Sequence, residues 1–111
     1  MAYTREYAAT APSREQLDAM PGPLVLEFGA AHCGHCLRAQ QPIAAALGHH
    51  PGVPHIKIED GPGRPLGRSF RVKLWPTLVF LRSGQEIERV VRPTTVEPID
   101  QALQRLVGAD S

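Results

Sequence analysis

The chain predicts a single α/β domain spanning residues 1–111, with a central mixed β-sheet flanked by helices on both faces. Three observations lead there. Short apolar runs of strand length alternate with amphipathic stretches of helix length. Glycine and proline clusters, Pro21-Gly22-Pro23 and Gly61-Pro62-Gly63, punctuate the boundaries. The early strands are separated by helices, which allow parallel crossovers, and the last two by a tight turn, which forces an antiparallel pair.

The elements follow in order. Tyr3 to Ala8 reads as a short edge strand. Ser13-Arg14-Glu15-Gln16 reads as a capping box opening a helix that carries Leu17 and Met20, and Pro21-Gly22-Pro23 stops it. Pro23 to Phe28 is a strand that is apolar on both faces except at Glu27, as a central strand should be. Cys33 to Leu47 is a helix closed by Gly48, with Pro42 inside it to bend it. Val53 to Ile58 is a second buried strand, and Leu66 to Phe70 a short helix. Thr77 to Leu81 and Glu86 to Val91 are strands joined by the hairpin Arg82-Ser83-Gly84-Gln85. A final helix starts between Thr94 and Pro98, with Ile99, Ala102, Leu103, Leu106 and Val107 on one face. The order is β-α-β-α-β-α-β-β-α, which places parallel strands at the centre and an antiparallel hairpin at one edge.

The charge is close to balanced, at +1. That argues against a nucleic-acid or membrane-surface role, either of which would want a basic patch. No apolar run approaches the roughly 20 residues of a membrane span. Met1 to Ala11 lacks the basic-then-apolar pattern of a secretory leader, so a cytoplasmic location is expected. The chain has two cysteines, Cys33 and Cys36. A local pair removes little chain entropy when it closes, so its purpose is chemistry rather than stapling.

Cys33-Gly34-His35-Cys36 stands between a buried strand and a helix, Trp75-Pro76-Thr77 opens a later strand, and the Ser83-Gly84 hairpin leads to an amphipathic C-terminal helix. In this arrangement the chain resembles the thioredoxin family from about Ser13 to Val107. The resemblance implies the thioredoxin fold, a cis peptide bond before Pro76, and reversible thiol–disulfide exchange through a redox disulfide between Cys33 and Cys36. It departs from the family in four places. Gly34-His35 is similar to protein disulfide isomerase sites, His32 stands where the family has Trp, Pro42 is one residue late, and Arg92 stands where a groove glycine is usual.

Candidate roles follow. Cys33, at a helix N-terminus, is the nucleophile, because free N–H groups and the helix dipole stabilise a thiolate. Cys36, one turn further in, is the resolving thiol. His35 would place positive charge beside the Cys33 sulfur and make the disulfide more oxidising. The expected potential falls between those of thioredoxin and protein disulfide isomerase, about 90 mV apart. Glu27 occupies the position of the family's buried acid, where it would act as general base toward Cys36. Trp75, Pro76 and Thr77, with His32 and Arg92, are the candidate substrate-binding residues, and the Trp75 backbone is expected to be free to pair with an extended substrate. His49, His50 and His55 are read as surface residues.

The expected partners are protein disulfide substrates and either a thioredoxin-reductase-like protein or glutathione as electron donor. The protein is expected to act as a monomer without a cofactor or resident metal. The compartment suggests a reductase, whereas Gly34-His35 suggests an oxidase or isomerase. Two alternatives stand beside this reading: a metal or iron–sulfur cluster shared by the cysteine pairs of two chains, and a redox-inert binding module.

Overall fold

The computed structural model describes residues 3–108. Ser13 starts the first helix as the sequence predicts. Its hydroxyl accepts the Gln16 N–H at 3.0 Å, and the Gln16 side chain accepts the Ser13 N–H at 2.8 Å. The elements are then α1 (Arg14–Ala19), β1 (Pro23–Gly29), α2 (Gly34–Gly48), β2 (His55–Glu59), α3 (Pro65–Ser69), β3 (Thr77–Arg82), β4 (Gln85–Val91) and α4 (Glu97–Gly108).

The four strands lie in the order β2-β1-β3-β4. β1 runs parallel to β2 and antiparallel to β3, and β3 runs antiparallel to β4. The parallel strands expected at the centre are therefore a single pair at one side, and the central pair, β1–β3, is antiparallel. The reason lies in α3, which has five residues. At about 1.5 Å per residue such a helix cannot carry the chain back along the sheet, so β3 enters from the opposite end.

Tyr3 to Ala8 does not form the expected edge strand. It makes one isolated parallel bridge, Tyr7 with Lys57, where the Ala8 N–H reaches the Lys57 carbonyl at 2.8 Å. A regular ladder is interrupted because the Thr4 N–H donates to a side chain, Nδ1 of His55, at 2.8 Å.

Strand alternation sorts the core into two layers. Val25, Leu78 and Phe80 pack with Ala39, Ile43 and Leu47 of α2 and with Ile99, Leu103 and Leu106 of α4. Leu24, Leu26, Phe28, Val79 and Leu81 pack with Leu17 of α1 and with Leu66 and Phe70 on the other face. Val107, expected on the buried side of α4, is 45% exposed because it falls on the rim of that stripe. α2 runs through Pro42 and finishes at Gly48, with His49 as a right-handed cap rather than a left-handed glycine. The β3–β4 turn places both Ser83 (φ 49°) and Gly84 (φ 82°) in the left-handed region, as a type I′ hairpin requires. Gly84 also lacks room for a side chain, since a Cβ would sit 2.5 Å from the Asp18 carbonyl oxygen.

Candidate active site

Cys33 is the N-cap of α2 rather than its first residue, and its sulfur accepts the Cys36 N–H at 3.1 Å. It does the work of a capping oxygen: the sulfur receives an N–H that the helix leaves unpaired. Both cysteines are free thiols. Cys33 is partly exposed, whereas Cys36 is 2% exposed. Burial, aided by the contact with Cys33, pushes the Cys36 thiol up to about 12. One sulfur is therefore reachable, while the other stays protonated until a base removes its proton.

Across from the pair, the Trp75–Pro76 bond is cis, as the resemblance implies. The Cys33 thiol faces the Trp75 carbonyl at 3.9 Å. Arg92, at φ 50°, donates its backbone N–H to the Pro76 carbonyl at 2.9 Å and its Nε to the Trp75 carbonyl at 2.8 Å. The expectation that the Trp75 backbone is free for substrate is thus corrected for its carbonyl, because the left-handed turn at Arg92 folds the guanidinium back onto it. The Trp75 indole is half-buried and donates Nε1–H to Asp60 at 2.9 Å. Thr77 is buried, and its hydroxyl is tied to the Leu74 carbonyl at 2.6 Å, so it braces the turn from inside. His32 is exposed at the mouth of the loop.

His35 lies in the open, with Nδ1 3.4 Å from an Arg38 nitrogen. Its pKa is lowered, first by Arg92, then by desolvation and by Arg38. This corrects the expected source of positive charge. At neutral pH the imidazole is held in its neutral form, and the nearby cations are the two guanidiniums.

Behind Cys36 lies a polar cluster that the sequence reading largely missed. Glu27 is fully buried. Its carboxylate accepts His55 Nε2–H at 2.9 Å and Gln40 Nε2–H at 2.8 Å. The same Gln40 amide donates to the Cys36 carbonyl at 2.8 Å, while its oxygen accepts the Tyr3 hydroxyl at 2.7 Å and Lys57 Nζ at 3.1 Å. Lys57 Nζ also reaches the Arg5 carbonyl and lies over the Tyr7 ring. Since His55 Nδ1 accepts a backbone N–H, the proton must be on Nε2, and the imidazole is neutral. Among the described residues every buried side-chain nitrogen and oxygen has a partner.

His55 therefore corrects the surface reading given to it. In the register of β1 and β2, His55 lies opposite Val25 and Lys57 opposite Glu27, so both point to the face where the carboxylate needs donors. Their period-two spacing was the available signal. Tyr7 is also part of this wall. Its hydroxyl and the Cys36 sulfur both lie within 3 Å of where a Cβ on Gly29 would stand. Burial first, and then the charge of Cys36, raises the Tyr7 pKa, so it remains a neutral phenol. Among the described residues no three His, Cys, Asp and Glu side chains converge as a metal-ligand set.

Two thiols on one helical turn, only one of them within reach of another molecule, form the device of a thiol–disulfide oxidoreductase, which carries two electrons as a reversible disulfide. The comparisons agree with that class. The chain belongs to the thioredoxin family, whose model, described as Thioredoxin, matches residues 7–105. It is similar to the structure of thioredoxin 2 from Pseudomonas aeruginosa PAO1 in its reduced form, at 51% identity, 96% coverage of this chain, 99% of that chain and a TM-score of 0.86. It is 38% identical over 92 residues to protein disulfide-isomerase A2 of Pongo abelii, covering 77% of this chain and 17% of that protein. Thioredoxin H2 of Arabidopsis thaliana matches over 68 residues at 31% identity, covering 61% of this chain and 51% of that protein. The chain thus spans under a fifth of the first of these curated relatives and about half of the second.

Proposed function

We propose that this protein reduces protein disulfides by reversible exchange through Cys33 and Cys36, as a cytoplasmic monomer serving cellular redox homeostasis. The observation that carries the reading is the inequality of the two thiols: Cys33 is accessible on a helix cap, and Cys36 is buried and proton-bound behind it.

The Cys33 thiolate attacks a substrate disulfide. A Cys33–substrate bond forms as the substrate's own S–S bond breaks, and the departing sulfur leaves as a thiolate that takes a proton from solvent. Cys36 then gives up its proton, and its sulfur attacks Cys33. The mixed disulfide breaks and the second substrate thiolate leaves. The substrate gains two electrons and two protons, and the protein retains the Cys33–Cys36 disulfide. Glu27 is the group assigned to take the Cys36 proton, since it is a buried carboxylate near enough to raise the thiol's pKa and joined to the Cys36 carbonyl through Gln40. Two electrons from a thioredoxin-reductase-like protein or from glutathione restore the dithiol.

The test is a thiol-trapping titration of the purified protein against defined ratios of reduced to oxidised glutathione. A single two-electron midpoint is expected. A midpoint near that of thioredoxin marks a reductase and a higher one marks an oxidase or isomerase. The absence of any reversible midpoint would refute the exchange chemistry.

A further inference from the structure

Beside Cys33 lies a cleft of about 190 Å³ lined by His35, Arg38, Arg92, Pro93 and Thr94. We propose that this cleft is a carboxylate-docking subsite that selects protein disulfides flanked by aspartate or glutamate. The inference rests on the exchange reaction proposed above and adds to it the class of substrate.

Three observations carry it. The first is unpaired charge. Arg14, Arg64, Arg89 and Arg105 each have a carboxylate partner within the chain, on Asp18, Glu59, Glu86 and Glu88 respectively. Among the described residues Arg5, Arg38, Arg68, Arg71 and Arg92 have none, and of these Arg38 and Arg92 line the cleft: Arg38 leans on the Nδ1 atom of His35, and Arg92 uses Nε on a carbonyl. The terminal nitrogens of Arg92 are left as a planar fork for an incoming carboxylate.

The second is position. Arg92 Nε and the Cys33 sulfur converge on the same Trp75 carbonyl, so the guanidinium is held beside the atom that reacts. An extended substrate advances about 3.4 Å per residue, which brings an acidic side chain one to three places from its cysteine into reach. Asp60, which neighbours Trp75, is already engaged by the indole N–H.

The third is size. The cleft is small, about 190 Å³. That leaves room for one Asp or Glu side chain; a carboxylate of glutathione has the same chemistry, and the reaction with glutathione disulfide tells the two sources apart. Neutral His35 adds a polar edge without a third charge.

The test uses pre-reduced protein in single turnover, so that no donor is needed. The substrates are three disulfide-bridged peptides identical except for flanking Glu, Gln or Lys. Each rate is divided by the rate with reduced dithiothreitol, to remove differences in the peptides' own reactivity. At low ionic strength the acidic peptide should react about tenfold faster than the basic one, and the ratio should fall toward one in molar salt. Arg38→Gln, and Arg92→Asn, which suits the left-handed backbone, should each lower the ratio about threefold. Arg68→Gln, an equal loss of charge on α3, should leave the ratio unchanged. Equal rates for the three peptides at low salt would overturn the subsite while leaving the exchange chemistry standing. No transfer to any disulfide would overturn the underlying reaction instead. If both arginine variants slow glutathione disulfide as much as the acidic peptide, the assignment to a protein segment fails. Should Arg92→Asn not fold, Arg38→Gln and the salt dependence decide the matter.

Discussion

Replacing Glu27 by Gln separates the two halves of the exchange. The carboxylate accepts two buried hydrogen bonds, from His55 Nε2 and Gln40 Nε2. A Gln side chain has one acceptor and one donor group. If its oxygen faces His55, its NH₂ meets the NH₂ of Gln40. Turning Gln40 over removes that conflict but presents its NH₂ to Lys57 Nζ, which had been bonded to the Gln40 oxygen, and takes its donor from the Cys36 carbonyl. Either arrangement leaves one buried donor unmatched, at about 1–3 kcal/mol, and Lys57 loses its nearby anion. The variant should therefore fold with about 2–3 kcal/mol less stability in urea unfolding, read from the fluorescence of Trp75, the single tryptophan of the chain. Loss of a general base slows proton transfer by about 10²-fold or more. The assay loads Cys33 with a chromogenic thiol as a mixed disulfide and follows its release. Attack by Cys33 should stay within about threefold of wild type, while release should fall about a hundredfold, or about 2.7 kcal/mol in barrier. A folded Glu27→Gln protein that releases the thiol at the wild-type rate would refute the base assignment, with Cys36→Ser as the fully blocked reference.

Other expectations follow from the same geometry. Gly29→Ala places a methyl 2.8 Å from the Cys36 sulfur and 2.9 Å from the Tyr7 hydroxyl; overpacking should cost about 1–3 kcal/mol, and an unchanged urea midpoint would contradict the tight wall. Gly67→Ala drives a methyl into the Asp60 carboxylate, which should release the Trp75 indole and shift its emission to the red. The alkaline limb of stability should carry the signature of Cys36. Its thiol is protonated in both folded and unfolded chains below pH 9, but between about 9 and 12 only the unfolded chain loses that proton. The reduced protein should therefore lose stability through that window. Cys36→Ser should flatten the slope, and equal slopes would remove the claim.

Features set by neighbouring residues were legible in the sequence. Ser13 and Gln16 cap each other across one turn, Ser83-Gly84 closes a two-residue hairpin, and Cys33 to Cys36 spans one helical turn; each is a local event. Features set by tertiary partners were not. The direction of β3 depends on how little of the sheet the five-residue α3 can cross. Gln40 on a helix surface reads as solvated until the strands bring Glu27 and Lys57 beneath it. Arg92 reads as a solvated charge, yet its left-handed backbone lays its Nε on the Trp75 carbonyl. The cis bond at Pro76 came from family resemblance rather than from any property of its own dipeptide.

The bond from the Thr4 amide to His55 makes one backbone proton a gauge of the reaction chamber. Thr4 lies outside every helix and strand, so its amide would ordinarily exchange with solvent as fast as that of a loose loop. Here the proton exchanges when the segment carrying Thr4 lifts off the imidazole that donates to Glu27. A single resonance in an exchange spectrum thus times how often the cover over the His55–Glu27 pair lifts, in either redox state, without a substrate present.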